Sequence, residues 1–106
     1  MANFVLVYTG GGMPPTEAER GKVMEAWGAW FGRLGEAVVD MGNPFASHVK
    51  SIDSSGAEHD SPVGTQATGY SIIKADSLKA AVDLAKGCPV LKSGAKITVY
   101  EISPAM

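Results

Sequence analysis

The sequence predicts an α+β fold on the ferredoxin-like βαββαβ plan, with an antiparallel sheet and two helices on one of its faces. Three observations predict it. Runs with strand character open the chain at 4–9, recur at 69–74 and close it at 96–102. Two segments with apolar residues at helical spacing separate them. The strands are partly apolar on both sides, yet two helices can cover only one face of a four-stranded sheet.

The first strand, Phe4-Val5-Leu6-Val7-Tyr8-Thr9, is β-branched and aromatic and stops at Gly10-Gly11-Gly12. The loop Gly-Gly-Gly-Met-Pro-Pro follows. It has neither the P-loop spacing nor the dinucleotide fingerprint, so it reads as a turn. Thr16-Glu17-Ala18-Glu19 has the spacing of a capping box, and its acidic residues suit a helix N-terminus. Val23, Met24, Trp27, Trp30, Phe31, Leu34 and Val38 extend the helix, with Gly42 as its stop. Gly21, Gly28, Gly32 and Gly35 each lower helix propensity by up to about 1 kcal/mol relative to alanine, so this helix must rely on burying its aromatic face. The two tryptophans at this spacing read as core.

After Pro44, residues 45–52 read as a second strand and Asp53-Ser54-Ser55-Gly56 as a turn. Residues 57–60 read as a short returning strand and 61–68 as a loop. The strand Gly69-Tyr70-Ser71-Ile72-Ile73-Lys74 is clear. Asp76 or Ser77 caps a second helix with Leu78, Ala81, Val82 and Ala85 on one face, ending at Gly87 and Pro89. Lys96 to Ile102 alternates well and closes the sheet. The tail Ser-Pro-Ala-Met carries no recognisable address.

At 106 residues the chain suits one domain, 1–106. With 45% hydrophobic and 19% charged residues it can build a packed core. A formal charge of −2 and scattered basic residues argue against nucleic acid as a partner. No apolar run approaches the roughly 18 residues that span a membrane, and the N-terminus lacks the pattern of a secretory signal. Cys88, the lone cysteine, offers no thiolate cluster for a metal, fits a reducing cytoplasm, and sits before Pro89 as a packed, inert thiol. No cofactor is expected, and the two histidines give no metal site.

The strand faces predict a partner. Phe4, Leu6 and Tyr8 point one way and Val5 and Val7 the other; Ile72 and Ile73 leave one apolar group on each side. Apolar surface left in water costs roughly 25 cal/mol per Å², and a large apolar patch is usually an interface. A second copy, sheet against sheet about a two-fold axis, would cover it. The space between the two sheets is then the natural pocket for a small molecule.

Asp60-Ser61-Pro62-Val63, then Gly69-Tyr70-Ser71-Ile72-Ile73, then the helix Asp76-Ser77-Leu78-Lys79-Ala80-Ala81-Val82-Asp83-Leu84-Ala85 and Cys88-Pro89 together resemble the YCII-related, or DGPF-domain, family. The likeness spans nearly the whole chain and lies in the order of short motifs. Ser61 and Val63 stand where the family has Gly and Phe. The resemblance implies a ferredoxin-like dimeric α/β barrel. Some relatives look like small-molecule lyases or dehydrochlorinases that use a His–Asp pair, but no motif match carries that pair onto numbered positions here.

His48 is the candidate general base, because histidine titrates near neutrality and residues 45–52 would aim it at one sheet face. Asp60 is its candidate orienting partner, although Asp-Ser-Pro is also good turn chemistry. His59, near a hairpin end, reads as solvated. Tyr8, Tyr70, Ser71, Thr98 and Tyr100 are candidate ligand contacts, offering phenols and hydroxyls on strands. These residues lead to two principal expectations. One is a homodimeric, cofactor-independent lyase or isomerase acting by acid–base chemistry in an inter-sheet pocket. The other is a non-catalytic binding or accessory module. A cofactor-free monooxygenase follows from fold analogy alone.

Overall fold

Strand β1 (Ala2–Thr9) lies at the heart of the sheet because its alternation satisfies both sides at once. A computed structural model describes residues 1–12 and 14–104. Met13 of the glycine–proline loop and residues 105–106 of the tail lie outside the described residues. The remaining elements are α1 (Glu17–Leu34), β2 (Val38–Asp40), β3 (Ser51–Ile52), β4 (Glu58–His59), β5 (Ala67–Ala75), α2 (Leu78–Ala85) and β6 (Lys96–Glu101). The main sheet runs β2-β5-β1-β6, and every neighbouring pair is antiparallel. This is the expected α+β, ferredoxin-like arrangement, with β3 and β4 as a separate hairpin inserted between the second and third strands of the sheet.

Register divides the side chains cleanly. Phe4 pairs with Ile73 and Leu6 with Ser71 on one face. Val5 pairs with Ile72 and Tyr100, and Val7 with Tyr70 and Thr98, on the other. The first face is the core. Phe4, Leu6, Tyr8, Ile73 and Ala75 are buried there against Trp30, Ala81 and Ala85 of the helices. Trp30 is 2% exposed and donates its indole N–H to the Leu84 carbonyl at 3.2 Å. Trp27 meets Tyr8 edge-on, with centroids 5.6 Å apart, and Phe31 packs beside both tryptophans. The glycine-rich helix α1 is therefore held by an aromatic cluster, as its low propensity requires.

Both helix starts follow local chemistry. Thr16 accepts from the Glu19 N–H, and Ser77 accepts from the Ala80 N–H. Of the two capping residues considered for α2, the hydroxyl of Ser77 takes the role.

Two sequence expectations are corrected. Helix α1 ends at Gly35, whose φ of +55° favours glycine, and not near Gly42. The second strand of the sheet is Val38–Asp40, not 45–52. Only Ser51–Ile52 of that longer stretch is strand, and it pairs with Glu58–His59, away from the main sheet.

The radius of gyration is 15.2 Å, against about 13 Å for a compact chain of this length. Residues 46–66 form an arm carrying the β3–β4 hairpin, which pairs within itself and not with the main sheet. The extents of 44 × 41 × 18 Å leave thickness for only one sheet and one helix layer. The arm thus lies beside the sheet and leaves the sheet's second face open.

The hairpin at the arm's end is closed by Asp53. Its Oδ1 accepts from the Ser55 and Ala57 N–H groups at 2.9 and 3.1 Å. Its Oδ2 lies 2.9 Å from His59 Nε2. His59, read from sequence as merely solvated, is half-exposed and paired. That pairing foremost, followed by the Ser55 hydroxyl and the backbone donors, lowers the Asp53 carboxyl from 3.8 to about 2. A depressed carboxyl stabilises the fold above its unfolded value, and the contribution disappears as pH falls through the folded one. The Ile52 and Glu58 amide shifts are expected to move between pH 3.8 and about 2, marking the opening of the hairpin. Asp53→Asn should place those amides near their acid positions at neutral pH, measured by NMR. Unmoved amides would show that Asp53 does not hold the turn.

Candidate functional site

The arm begins where the edge of the sheet breaks. After β2 the chain turns at Met41-Gly42, rejoins β5 through a Pro44–Gly69 bridge, and leaves again beyond Phe45. Its outgoing and returning limbs then face each other. Gln66 spans them by donating its side-chain N–H to the Ser47 carbonyl at 3.2 Å.

Between the limbs lies an open groove of about 760 Å³ lined by Ser47, His48, Lys50, Asp60, Pro62 and Gln66, among others. His48 and Asp60 are brought to one groove although neither lies on the main sheet. They are not brought together as a bonded pair. Asp60 Oδ1 is 3.3 Å from Lys50 Nζ, and Lys50 also reaches Glu58 at 3.4 Å. Among the described residues His48 has no hydrogen-bond or ion-pair partner, and its ring is exposed. The Lys50 pairs are solvated and contribute little to stability.

The open face of the sheet is a second candidate surface. Val5, Val7 and Ile72 form an apolar floor, and Tyr70, Thr98 and Tyr100 stand on it. Tyr100 is 56% exposed. Tyr70 donates its phenol proton to Asp40 Oδ2 at 3.2 Å and stacks on Phe45 with centroids 5.8 Å apart. Sequence reasoning found the tyrosines but missed Asp40, which it had placed at the end of a helix.

Tyr8 and Ser71, also candidate ligand contacts, belong to the opposite face. Tyr8 donates to Ser71 Oγ at 2.7 Å, and Ser71 donates onward to the Met41 carbonyl at 2.8 Å. This chain of bonds satisfies buried polar groups beneath the helices. Burial pushes the Tyr8 phenol above its ordinary value, against the opposing pull of the Ser71 hydrogen bond. Burial also raises the Cys88 thiol, which disfavours its reactive thiolate. The five residues read as ligand contacts therefore divide three to the open face and two to the core.

Among the described residues there is no group of three or more His, Cys, Asp or Glu side chains that could hold a metal ion. No described helix is long and apolar enough to cross a membrane.

No protein-family model matches this sequence, and neither does any curated protein. Among solved structures, the chain is similar to 5-chloro-2-hydroxyhydroquinone dehydrochlorinase from Burkholderia phenoliruptrix, in complex with 2,5-dihydroxybenzoquinone. The TM-score is 0.56 at 17% identity, over 94% of this chain and 93% of that one. At that identity the likeness establishes the shared α+β, ferredoxin-like fold.

Proposed function

We propose that the protein is a homodimer that binds a small molecule between its two sheets and acts on it by cofactor-independent acid–base chemistry. The observation that carries this reading is the open sheet face. It joins an apolar floor to three polar side chains, and neither the helices nor the arm covers it. A second copy laid on that face would remove the floor from water and enclose a pocket. The dehydrochlorinase of similar fold, with its hydroxylated ring ligand, supports a planar small-molecule substrate.

In this reading the dimer sets the arm groove at the rim of the inter-sheet pocket, and from there His48 acts as the base with Asp60 as its partner. The reaction is an elimination or isomerisation. For an elimination, imidazole takes a proton from a carbon, the C–H electron pair becomes a C=C bond, and a leaving group departs with its own pair. Ligand entry would need to draw Asp60 from Lys50 toward the imidazole. Both residues line one groove off the main sheet, so no change in the sheet is required.

Sedimentation equilibrium is expected to show two 11.0 kDa chains per particle. Chloride release from a chlorinated hydroxyhydroquinone tests the chemistry. His48→Ala should lower it by about 100-fold or more, the range of a lost general base, with the dimer intact. Unchanged release would remove His48 from the mechanism, and a lone folded particle at micromolar concentration would remove the inter-sheet pocket.

A second reading, a non-catalytic binding module, draws on a specific observation: Asp60 is occupied by Lys50, and the His48 ring has no partner among the described residues. Ligand binding without turnover in the wild-type protein would establish it.

A further inference from the structure

The edge strand β2 carries a bulge at an informative place. Val38 opposes Ile73, whereas Asp40 opposes Ile72, so Val39 is an extra residue in the pairing. Continued without the bulge, the register of Val38 would set Asp40 opposite Ser71, on the core face. A carboxylate there would lose its water with no cationic partner. The bulge instead turns Asp40 onto the open face, the re-aiming for which such irregularities are known.

Once there, the carboxylate is fixed from two sides. Oδ1 accepts the Gly42 N–H at 2.8 Å, and Oδ2 accepts the Tyr70 phenol proton at 3.2 Å. Phe45 stacks on the Tyr70 ring. The direction of the Tyr70 bond is unambiguous, because an ionised carboxylate only accepts. The single proton of Tyr70 is thus committed to Asp40. What this corner presents outward is lone pairs alone, from Tyr70 Oη and from Asp40, next to the Val7 and Ile72 floor.

We propose that Asp40 and Tyr70 form the acceptor end of the ligand site on the open face, selecting small planar molecules that bring a hydroxyl or N–H donor and carry no negative charge. Asp40 acts here as a positioning residue through Tyr70. Phe45 and the apolar floor accommodate the flat body of the ligand. An anion is repelled by the carboxylate, and a molecule with acceptors only leaves the outward lone pairs of both groups without a donor. The inference rests on the reading that the space before the open face holds a small molecule.

The test uses catechol and its dimethyl ether, veratrole, as probes against the whole chain, uniformly isotope-labelled, followed by NMR titration. Both are flat rings of similar shape, and only catechol donates. Catechol should shift the Tyr70 and Tyr100 signals and bind about tenfold more tightly than veratrole, since a site built to pair with a hydroxyl rejects the analogue lacking it. Asp40→Ala frees the Tyr70 proton to donate, so the preference should shrink to about twofold. Asp40→Asn has one amide oxygen for two donors, the Gly42 N–H and the Tyr70 phenol, so its NH2 turns to the Tyr70 oxygen and the preference should fall here too. Tyr70→Phe, which keeps the ring and removes the acceptor oxygen, should abolish it, a loss that a purely structural role for Asp40 does not predict. Equal binding of both probes at Tyr70, or an unchanged ratio in Asp40→Ala with the Val5 and Val7 amides in place, overturns the proposal while leaving the small-molecule reading standing. Shifts confined to the His48 groove, with none at Tyr70 or Tyr100, overturn the proposal and the inter-sheet site together.

Discussion

Trp30→Ala is expected to destabilise the fold by about 3–5 kcal/mol, the range for truncating a buried tryptophan. Trp30 is the largest fully buried side chain. It sits where α1, α2 and the sheet meet, touching Trp27 and Phe31 at centroid distances of 5.8 and 5.1 Å. Its removal opens a void that its neighbours cannot fill without shifting α1. The Leu84 carbonyl keeps another donor, the Gly87 N–H at 3.2 Å, so most of the loss is packing. Against a total stability of about 5–15 kcal/mol, this is a large fraction. Guanidinium denaturation should show a lower midpoint with an unchanged slope. Trp30→Phe keeps a ring in the cluster and should lose clearly less. A loss below about 1 kcal/mol in Trp30→Ala would mean the aromatic cluster does not hold α1 to the sheet.

Gly42→Ala is expected to cost about 3 kcal/mol through backbone strain alone, and to break the edge of the sheet locally. Gly42 has φ +82°, and a Cβ there would lie 1.6 Å from the Tyr70 carbonyl oxygen. The obstacle is backbone, so no side-chain rotation relieves it. Either β2 detaches from β5 or the turn after Asp40 reforms, and both displace the Asp40–Tyr70 pair. Loss of that pair should accompany loss of stability, seen as a change in the Tyr70 ring signals. Gly21→Ala is the matched control. Nothing lies within 4 Å of a Cβ at that position in the second turn of α1, and alanine there should stabilise by up to about 1 kcal/mol. Equal behaviour of the two variants would show that the close passage at Gly42 does not constrain the fold.

The strands β1, β5 and β6 were legible because each alternates over six or more residues with one face apolar enough to be buried. Both helices were legible through their capping hydroxyls and apolar spacing. Strand β2 was not. Val38 lies four residues beyond Leu34 and so continues the helical pattern, although Gly35 has already ended the helix with a positive φ. Residues 45–52 imitate a strand in composition, yet most of them pair with nothing regular. Their β-branched residues serve an arm, where local propensity is decided by a distant partner strand that the sequence does not display.

The site was legible by residue type and not by face. Which of Tyr8 and Tyr70 meets the ligand depends on which side the helices cover. Alternation within each strand leaves open how β1 and β5 are registered, and it is the Val7–Tyr70 pairing that sets the two tyrosines on opposite sides. Asp40 was hidden for a further reason: its aim depends on the one-residue bulge at Val39, and its partner lies 30 residues away.

The arm leaves and rejoins the sheet at neighbouring points, where the Phe45 N–H bonds the Thr68 carbonyl at 2.8 Å. Its two roots are thus stapled together independently of what lies between them. Lengthening or shortening the tip changes closure entropy only slowly, by about 0.6 kcal/mol per doubling of length, and moves no scaffold strand. Descendants of this chain can therefore vary the contents of the His48 groove by insertion and deletion, while the four-stranded frame and its aromatic anchor pass on unaltered.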